Sequence, residues 1–349
     1  MVHIDWRVAP DEWDSALACC PDATFFHTDA WLRAMGAAFG IKAARARLSW
    51  PDGRWALLPL TIRPLAKGLL PLATAGETGA YGGLVSPTPL SGDDEMAAYA
   101  AVRRRYPDLW VVGNPFATMS APRPVVPGGE PEAQSTHVLA LKPFAELRAG
   151  FSRGCKARGN KARKSGMTMR VSQDPADAEV YYGLYEDTMQ RWGEKLTWAR
   201  PLAFYERLLA EGGPAVRLFL AEQDGRVISG LLFAAYGRVA HYVAGATLAE
   251  ALPQCPSNFL MEEALATYAA ESFETFDFGP SNGLEGVMKF KESFGAEPLA
   301  FGAQRAATGS SRLYFALRRP YDRLHHWRAH LRDARQAQSA SPNPAPAGV

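Results

Sequence analysis

The residues of this 349-residue chain best placed to do chemistry lie between Phe276 and Gly295 (FDFGPSNGLEGVMKFKESFG). A short strand delivers Asp277 to a turn, and Gly279 and Gly283 let backbone approach a ligand or a neighbouring strand closely. The helix that follows presents Lys289 and Lys291 near its end, where Gly295 can serve as a C-cap. A carboxylate and lysines on either side of a glycine turn can bind a polar ligand or shift charge. The same pattern also suits an ordinary strand–loop–helix connection, and alone it does not choose between the two.

A second cluster is basic. Arg148, Arg153, Lys156, Arg158, Lys161, Arg163 and Lys164 fall in one helical stretch, with no acid between Glu146 and Asp174. A charge run is commonly a solvated helix face. Repulsion among seven cations also invites an anionic partner: tRNA, a coenzyme pyrophosphate or a nucleotide-linked acceptor. The end of the chain is basic and aromatic as well (Arg312, Tyr314, Arg318, Arg319, Tyr321, Arg323, Trp327, Arg328, Arg332). It suits packing on the preceding module, or peripheral contact with an anionic membrane surface or RNA.

The elements that must position these residues alternate. In the first half, Val2–Val8 reads as an edge strand, and 11–18 and the Thr28-capped segment with Trp31, Leu32, Met35 and Phe39 as helices. Ala43–Leu48 and Trp55–Ile62 flank a turn at Pro51-Asp52-Gly53. Strands at Ala80–Val85 and Leu109–Val112 bracket a helix at Asp94–Arg104, and the Pro/Gly-rich 121–131 reads as a linker. The second half gives strands at 137–141, 167–171, 216–221, 227–235, 239–245, 275–278 and 299–304. Helices are expected at 144–164, 176–192, 201–210, 257–270 and 285–294, with a last one from about 311 to 335. Residues 336–349, rich in Ser, Pro and Ala, read as disordered. Asp52-Gly53-Arg54 and Asp224-Gly225-Arg226 each precede an apolar strand half a chain apart, which with the matching element order points to a duplicated α/β module. Two such modules side by side would leave a ligand cleft between them.

Composition sets bounds. The net charge of +2 gives no reason to expect a nucleic-acid coat, and no DNA partner is expected. Four scattered cysteines suit reduced thiols in a reducing compartment. The N-terminus lacks a secretory pattern and no stretch is long and apolar enough to span a membrane, so a cytoplasmic protein is expected. The seven histidines never combine with carboxylates at metal-ligand spacing.

Three stretches resemble the Fem family and its relatives with a BioF2-like acetyltransferase domain, within the GNAT superfamily of N-acyltransferases. They are Phe25-Phe26-His27-Thr28-Asp29-Ala30-Trp31-Leu32, the basic run Arg158-Gly159-Asn160-Lys161-Ala162-Arg163-Lys164-Ser165-Gly166, and Asp277-Phe278-Gly279 with Lys289-Phe290-Lys291-Glu292-Ser293-Phe294-Gly295. The resemblance covers roughly residues 20 to 305. It implies an α/β (α+β) fold of two GNAT-like modules, each a mixed central sheet flanked by helices, at 1–135 and 136–308. A C-terminal basic helix (309–335) and a tail (336–349) would follow. It further implies an acyltransferase that moves an aminoacyl group from aminoacyl-tRNA, or an acyl group from acyl-CoA, to a primary amine such as that of a peptidoglycan or other envelope precursor, with no tightly bound cofactor. The family's lysine near the reacting carbonyl falls on Lys291, where a cation would stabilise an oxyanion. Tyr242 is the second expected catalytic residue. Phe290, Arg191, Trp192, Asp277 and Asn282 are expected at the substrates, and Arg153, Lys156, Arg158, Lys161, Arg163 and Lys164 at phosphates. Two departures stand out: 246–254 lacks the glycines of the usual coenzyme A pyrophosphate loop, and the charged helical hairpin of several Fem enzymes is missing between Trp192 and Pro201. A non-catalytic protein that binds an anionic polymer or precursor would show the same loop. His241 and Glu222 are formally available as general bases, although a strand histidine is more often a core residue.

Overall fold

Local sequence accounts for most of the elements. Thr28 Oγ1 accepts the Trp31 N–H at 3.2 Å and Gly40 closes the same helix at φ 62°, so polar start and glycine stop bracket the apolar spacing. Arg226–Tyr236 is almost continuously apolar and almost wholly buried, as a central strand covered on both faces must be.

The computed structural model describes residues 1–77, 79–118, 123–192, 199–281 and 283–317. The first half contains β1 (His3–Asp5), α1 (Pro10–Leu17), α2 (Asp29–Phe39), β2 (Lys42–Ser49), β3 (Trp55–Leu65), β4 (Leu70–Ala75), α3 (Gly92–Arg103) and β5 (Asp108–Val112). After β6 (Glu130–Ala140), α4 (Phe144–Gly150) and α5 (Arg153–Lys164), the same series recurs. It comprises β7 (Thr168–Ser172), α6 (Asp177–Trp192), α7 (Leu202–Gly212), β8 (Val216–Gln223), β9 (Arg226–Tyr236), β10 (Val239–Thr247), α8 (Pro256–Ala270) and β11 (Thr275–Asp277). The chain continues through α9 (Glu285–Glu292) and β12 (Glu297–Ala306). Residues 309–317 are helical; the rest of the expected last helix and the 336–349 tail lie outside the described residues.

The sheet order is β1-β2-β3-β4-β5-β12-β6-β11-β10-β9-β8-β7. In each half an antiparallel meander ends in a parallel pair, β4 with β5 and β10 with β11, joined through a helix. The duplication is therefore visible in topology. The two modules' sheets are joined rather than separate, because each half lends a strand across the middle: β6 pairs with β11, β12 pairs with β5, and the two pair with each other. Residue 135, where the sequence divides the modules, falls inside β6. The main core also spans both halves, with Phe25, Phe26, Trp31 and Met35 packed against Phe204, Tyr205, Leu208 and Phe301. Each buried aromatic here contributes about 2–3 kcal/mol.

Two local expectations change. Residues 80–85 are not a strand; they make only isolated bridges, Glu77 to Ala80 and Leu57 to Val85. The strand that pairs β3 with β5 is β4, disguised by Pro71, which faces Pro64 near the hairpin end. The two Asp-Gly-Arg turns also differ. The first sits in a five-residue loop closed by Ser49 and Trp55, whereas Asp224 and Gly225 form a two-residue turn at φ 51° and 74°. The shared motif is not a shared geometry.

Candidate functional site

Strands β10 and β11 pair only from Val239–His241 to Thr275–Asp277 and then part. His241 and Asp277 face each other at the last paired step. Asp277, 1% exposed, accepts hydrogen bonds from Tyr81 Oη (2.8 Å), Thr136 Oγ1 (2.6 Å) and the Gly279 N–H (3.0 Å), with His241 Nδ1 at 3.0 Å. Burial opposes the charge, yet His241, Thr136 and the Gly279 N–H together hold the carboxyl below the usual carboxylate range. The His241 ring is enclosed by Phe26, Tyr81 and Phe116, with centroids 4.7, 5.8 and 5.6 Å away, and its buried Nε2 has no hydrogen-bond partner among the described residues. Tyr81 comes from the first half. This group is sealed from solvent and ties the halves together.

Beyond His241 the β11 side of β10 has no strand partner. Tyr242, Val243, Ala244 and Gly245 are all half-exposed, although β10 is an interior strand. Side chains of a strand alternate between faces, so exposure of four in succession means that the backbone edge itself is open. A β-bulge between Tyr242 and Ala244 breaks the register with β9 at the same point. The Val243 carbonyl accepts from Arg200 Nη1 at 3.1 Å, while Gly279, at φ 72°, lies against the Tyr242 carbonyl.

The turn after β11 is held from below. Lys291, 1% exposed, donates from Nζ to the carbonyls of Gly279 and Pro280, the latter at 3.0 Å. Burial pushes its pKa down to about 8, and Asp277 opposes that shift. The lysine expected at the reacting carbonyl is thus an interior ammonium committed to the turn. His137 is beside it, with its pKa lowered by burial and by Lys291, and Nδ1 3.4 Å from Ser281 Oγ. Phe290 packs on Phe294 at 5.1 Å. Asn282 lies outside the described residues.

The remaining expected residues are dispersed. Tyr242 packs on Phe233 with its ring tilted, centroids 5.7 Å apart, and its phenol pKa is raised by burial. A Cβ at Gly245 would meet that hydroxyl at 2.1 Å, which accounts for the glycine. Arg191 joins α6 to the end of β10, bonding Asp187 (3.0 Å), Thr188 (2.9 Å) and the Thr247 carbonyl. Trp192 closes α6. On α5, Arg153, Lys161 and Lys164 are exposed. Lys156 caps the Ala149 carbonyl at 2.7 Å, and Arg158 leans toward Ser293 at 3.5 Å. Arg163 turns inward to Glu262 and Glu263, each at 2.8 Å, and Gly159 is needed because a Cβ there would sit 2.0 Å from Glu262 Oε1. Glu222 is at the far side of the sheet, paired with Arg170. Where a pyrophosphate loop would open α8, Ala249–Gln254 forms a 3₁₀ turn, and Cys255, at φ 60°, precedes Pro256.

Residues 149–292 match the family model for the acetyltransferase (GNAT) domain. This stretch is a GNAT-type acyltransferase domain. That domain holds β7–β11, the open edge of β10 and Lys291; the first half and β12 lie outside the matched stretch. No curated protein matches the chain in sequence. Among solved structures, FemX is similar with a TM-score of 0.68 at 15% identity, covering 90% of this chain and 99% of FemX. L-PGS from Bacillus licheniformis is similar at 0.52 and 11%, covering 89% and 96%. The C-terminal domain assigned to a lysylphosphatidylglycerol synthetase from Agrobacterium fabrum is similar at 0.50 and 15%, covering 78% and 87%. These likenesses show the GNAT fold across both halves. Sequence reasoning missed Tyr81, Thr136, His137 and Arg200 as parts of this site; the glycine run Gly76–Gly83 was the one available signal for Tyr81. Among the described residues no cluster of His, Cys, Asp or Glu could hold a metal, and no helix is long and apolar enough to cross a membrane.

Proposed function

We propose that the GNAT domain transfers an acyl group to a primary amine at the open edge of β10. The half-exposed, bulged stretch Tyr242–Gly245 beside a diverging strand is the observation that carries this reading. Backbone N–H groups on a fixed, partly dehydrated edge suit a donor carbonyl and the oxyanion that forms on it. The amine attacks the carbonyl carbon, the ester C–O or thioester C–S bond breaks, and the amine's proton passes to the leaving oxygen or sulfur. Tyr242, kept protonated by burial, relays it: its phenol proton goes to the leaving atom and the proton shed by the amine replaces it. Lys291 holds the 279–281 turn against the groove and adds positive potential there, while Asp277 acts through the same turn. Arg191, beside the end of β10, and Phe290 border the acceptor in this reading.

The donor in this reading is an aminoacyl-tRNA, with acyl-CoA as the other candidate; no tightly bound cofactor takes part. The Fem-like motifs, the likeness to FemX and L-PGS, and the glycine-free turn before α8 favour the aminoacyl donor. Arg153, Lys161 and Lys164 on α5, with Lys156 and Arg158 behind them, suit its phosphates, and Arg163 anchors the helix. The acceptor is the amine of a cytoplasmic envelope precursor, such as that of peptidoglycan. The modules 1–135 and 136–308 act as one body, and the basic sequence from residue 309 onward suits a membrane surface. Offering the purified chain labelled aminoacyl-tRNA and labelled acetyl-CoA separately, with a pool of amines, tests this: label should pass from the aminoacyl-tRNA. Transfer from neither donor would favour a binding protein instead.

A further inference from the structure

An ordinary primary amine is an ammonium near neutral pH, so its acylation sheds two protons. The leaving oxygen or sulfur takes one of them. The other must go before attack, because a protonated nitrogen has no lone pair to add to the carbonyl. Tyr242 is neutral before and after its relay, so it removes no net proton. A separate base with a route to water is required.

A buried histidine stands behind the turn that follows β11. His137 is 4% exposed and Ser281 7%. Successive residues of β6 face opposite ways: Thr136 reaches Asp277, and His137 turns to the other face, against α9. There Nδ1 lies 3.4 Å from Ser281 Oγ, and Nε2 lies 3.9 Å from Glu292 Oε1. A carboxylate opposite Nε2 favours the tautomer with its proton on that nitrogen, which leaves Nδ1 to accept one. Glu292 keeps 54% of its side chain in solvent, so this end of the cluster opens to water. The other end belongs to the groove: Ser281 is two residues past Gly279, which lies against the Tyr242 carbonyl. The charges facing His137 are Lys291 and Glu292 from α9 and Asp277 from β11, while β12 puts Pro298 opposite it. Burial and the Lys291 ammonium lower its pKa, so the ring is largely uncharged at neutral pH.

We propose that His137, acting through the Ser281 hydroxyl, is the base that deprotonates the acceptor ammonium, an inference that rests on the acyl-transfer reading above. A proton of the ammonium passes to Ser281 Oγ as the hydroxyl proton passes to His137 Nδ1. The free amine then attacks the carbonyl carbon. The imidazolium, opposite Glu292, returns to the neutral ring by losing one proton to water. If the pair merely tied the turn to β6, its loss would slow transfer equally at every pH.

The test is the pH dependence of transfer by the parent chain, His137→Gln and Ser281→Ala. The donors are labelled aminoacyl-tRNA and acetyl-CoA, and the acceptors a pool of lysine, ethanolamine and putrescine. At pH 7 each variant should be at least about tenfold slower than the parent, with the KM for the donor unchanged. The ratio of parent to variant rate, in which the titration of Lys291 cancels, should shrink as pH rises toward about 9, where more of the amine is already free. If His137→Gln melts early, Ser281→Ala carries the same test. Parent-like rates at pH 7, or a deficit that does not change with pH, overturn the proposal and leave acyl transfer standing. A parent that acylates no amine of the pool from either donor removes the acyl-transfer reading and this proposal together.

Discussion

Each half brings two parallel strands together for a few residues and then lets them part, but the two gaps have different fates. In the first half the last pair is Ala75 with Val111, both fully buried, and the chain folds back into the gap. The Gly82 N–H bonds the Val112 carbonyl at 3.0 Å, and a Cβ on Gly82 would meet Ala75 and Gly76 backbone at 2.3 Å. In the second half the last pair is His241 with Asp277, and the β10 edge beyond it stays open. One copy of the repeat has filled its groove with its own backbone. The loop that fills it also lends Tyr81 to the network beneath the other groove, so the closed copy supports the open one.

Gly82→Ala is the harshest test of the closed gap. Its Cβ has no room against backbone, so it should destabilise the protein by more than about 3 kcal/mol in urea titration. Asp277→Ala should cost about 3–5 kcal/mol, because it strips a buried network of its only carboxylate and leaves Tyr81, Thr136 and His241 unpaired. A fully folded, undiminished Asp277→Ala protein would break the claim that this network joins the halves.

Lys291→Met should lower transfer by at least about 10-fold, because it frees the 279–281 turn and removes the positive potential beside the oxyanion, while the fold persists. Its stability should separate it from the parent in a pH-dependent way. A buried lysine whose pKa is about 8 rather than 10.5 is penalised while charged. Parent stability should therefore rise between about pH 8 and 10.5, by up to about 3 kcal/mol from this group, and the variant should lack that rise. The smallest expected effect is on α5. Arg153→Ala, Lys161→Ala and Lys164→Ala together should weaken tRNA binding about tenfold and flatten its salt dependence. Arg163→Ala should instead act on stability, because it leaves the buried Glu262 carboxylate with Arg148 as its one remaining cation among the described residues.

Much of the fold was legible because strong local signals agree with it. Thr28 and Gly40 bracket α2, and the apolar runs of β8 to β10 fall where the spacing puts them. Proline hid β4, and the crossing of β6 and β12 depends on pairing between residues far apart, which no local pattern encodes. The site was legible in part. The Asp277–Lys291 stretch was found as a unit, yet burial decides what each member does, and burial follows from packing. Asp277 and Lys291 turned out to support the groove from within, with partners such as Tyr81 drawn from the other half.

Amide hydrogen exchange tests the contrast most directly, with aminoacyl-tRNA and coenzyme A added in turn. The account predicts that those amides of Tyr242–Gly245 that point away from β9 exchange readily in the free chain and slow markedly with the donor, while Ala75 and Val111–Val112 do not change. Slowing confined to the first-half gap, or none at Tyr242–Gly245 with either donor, would contradict it.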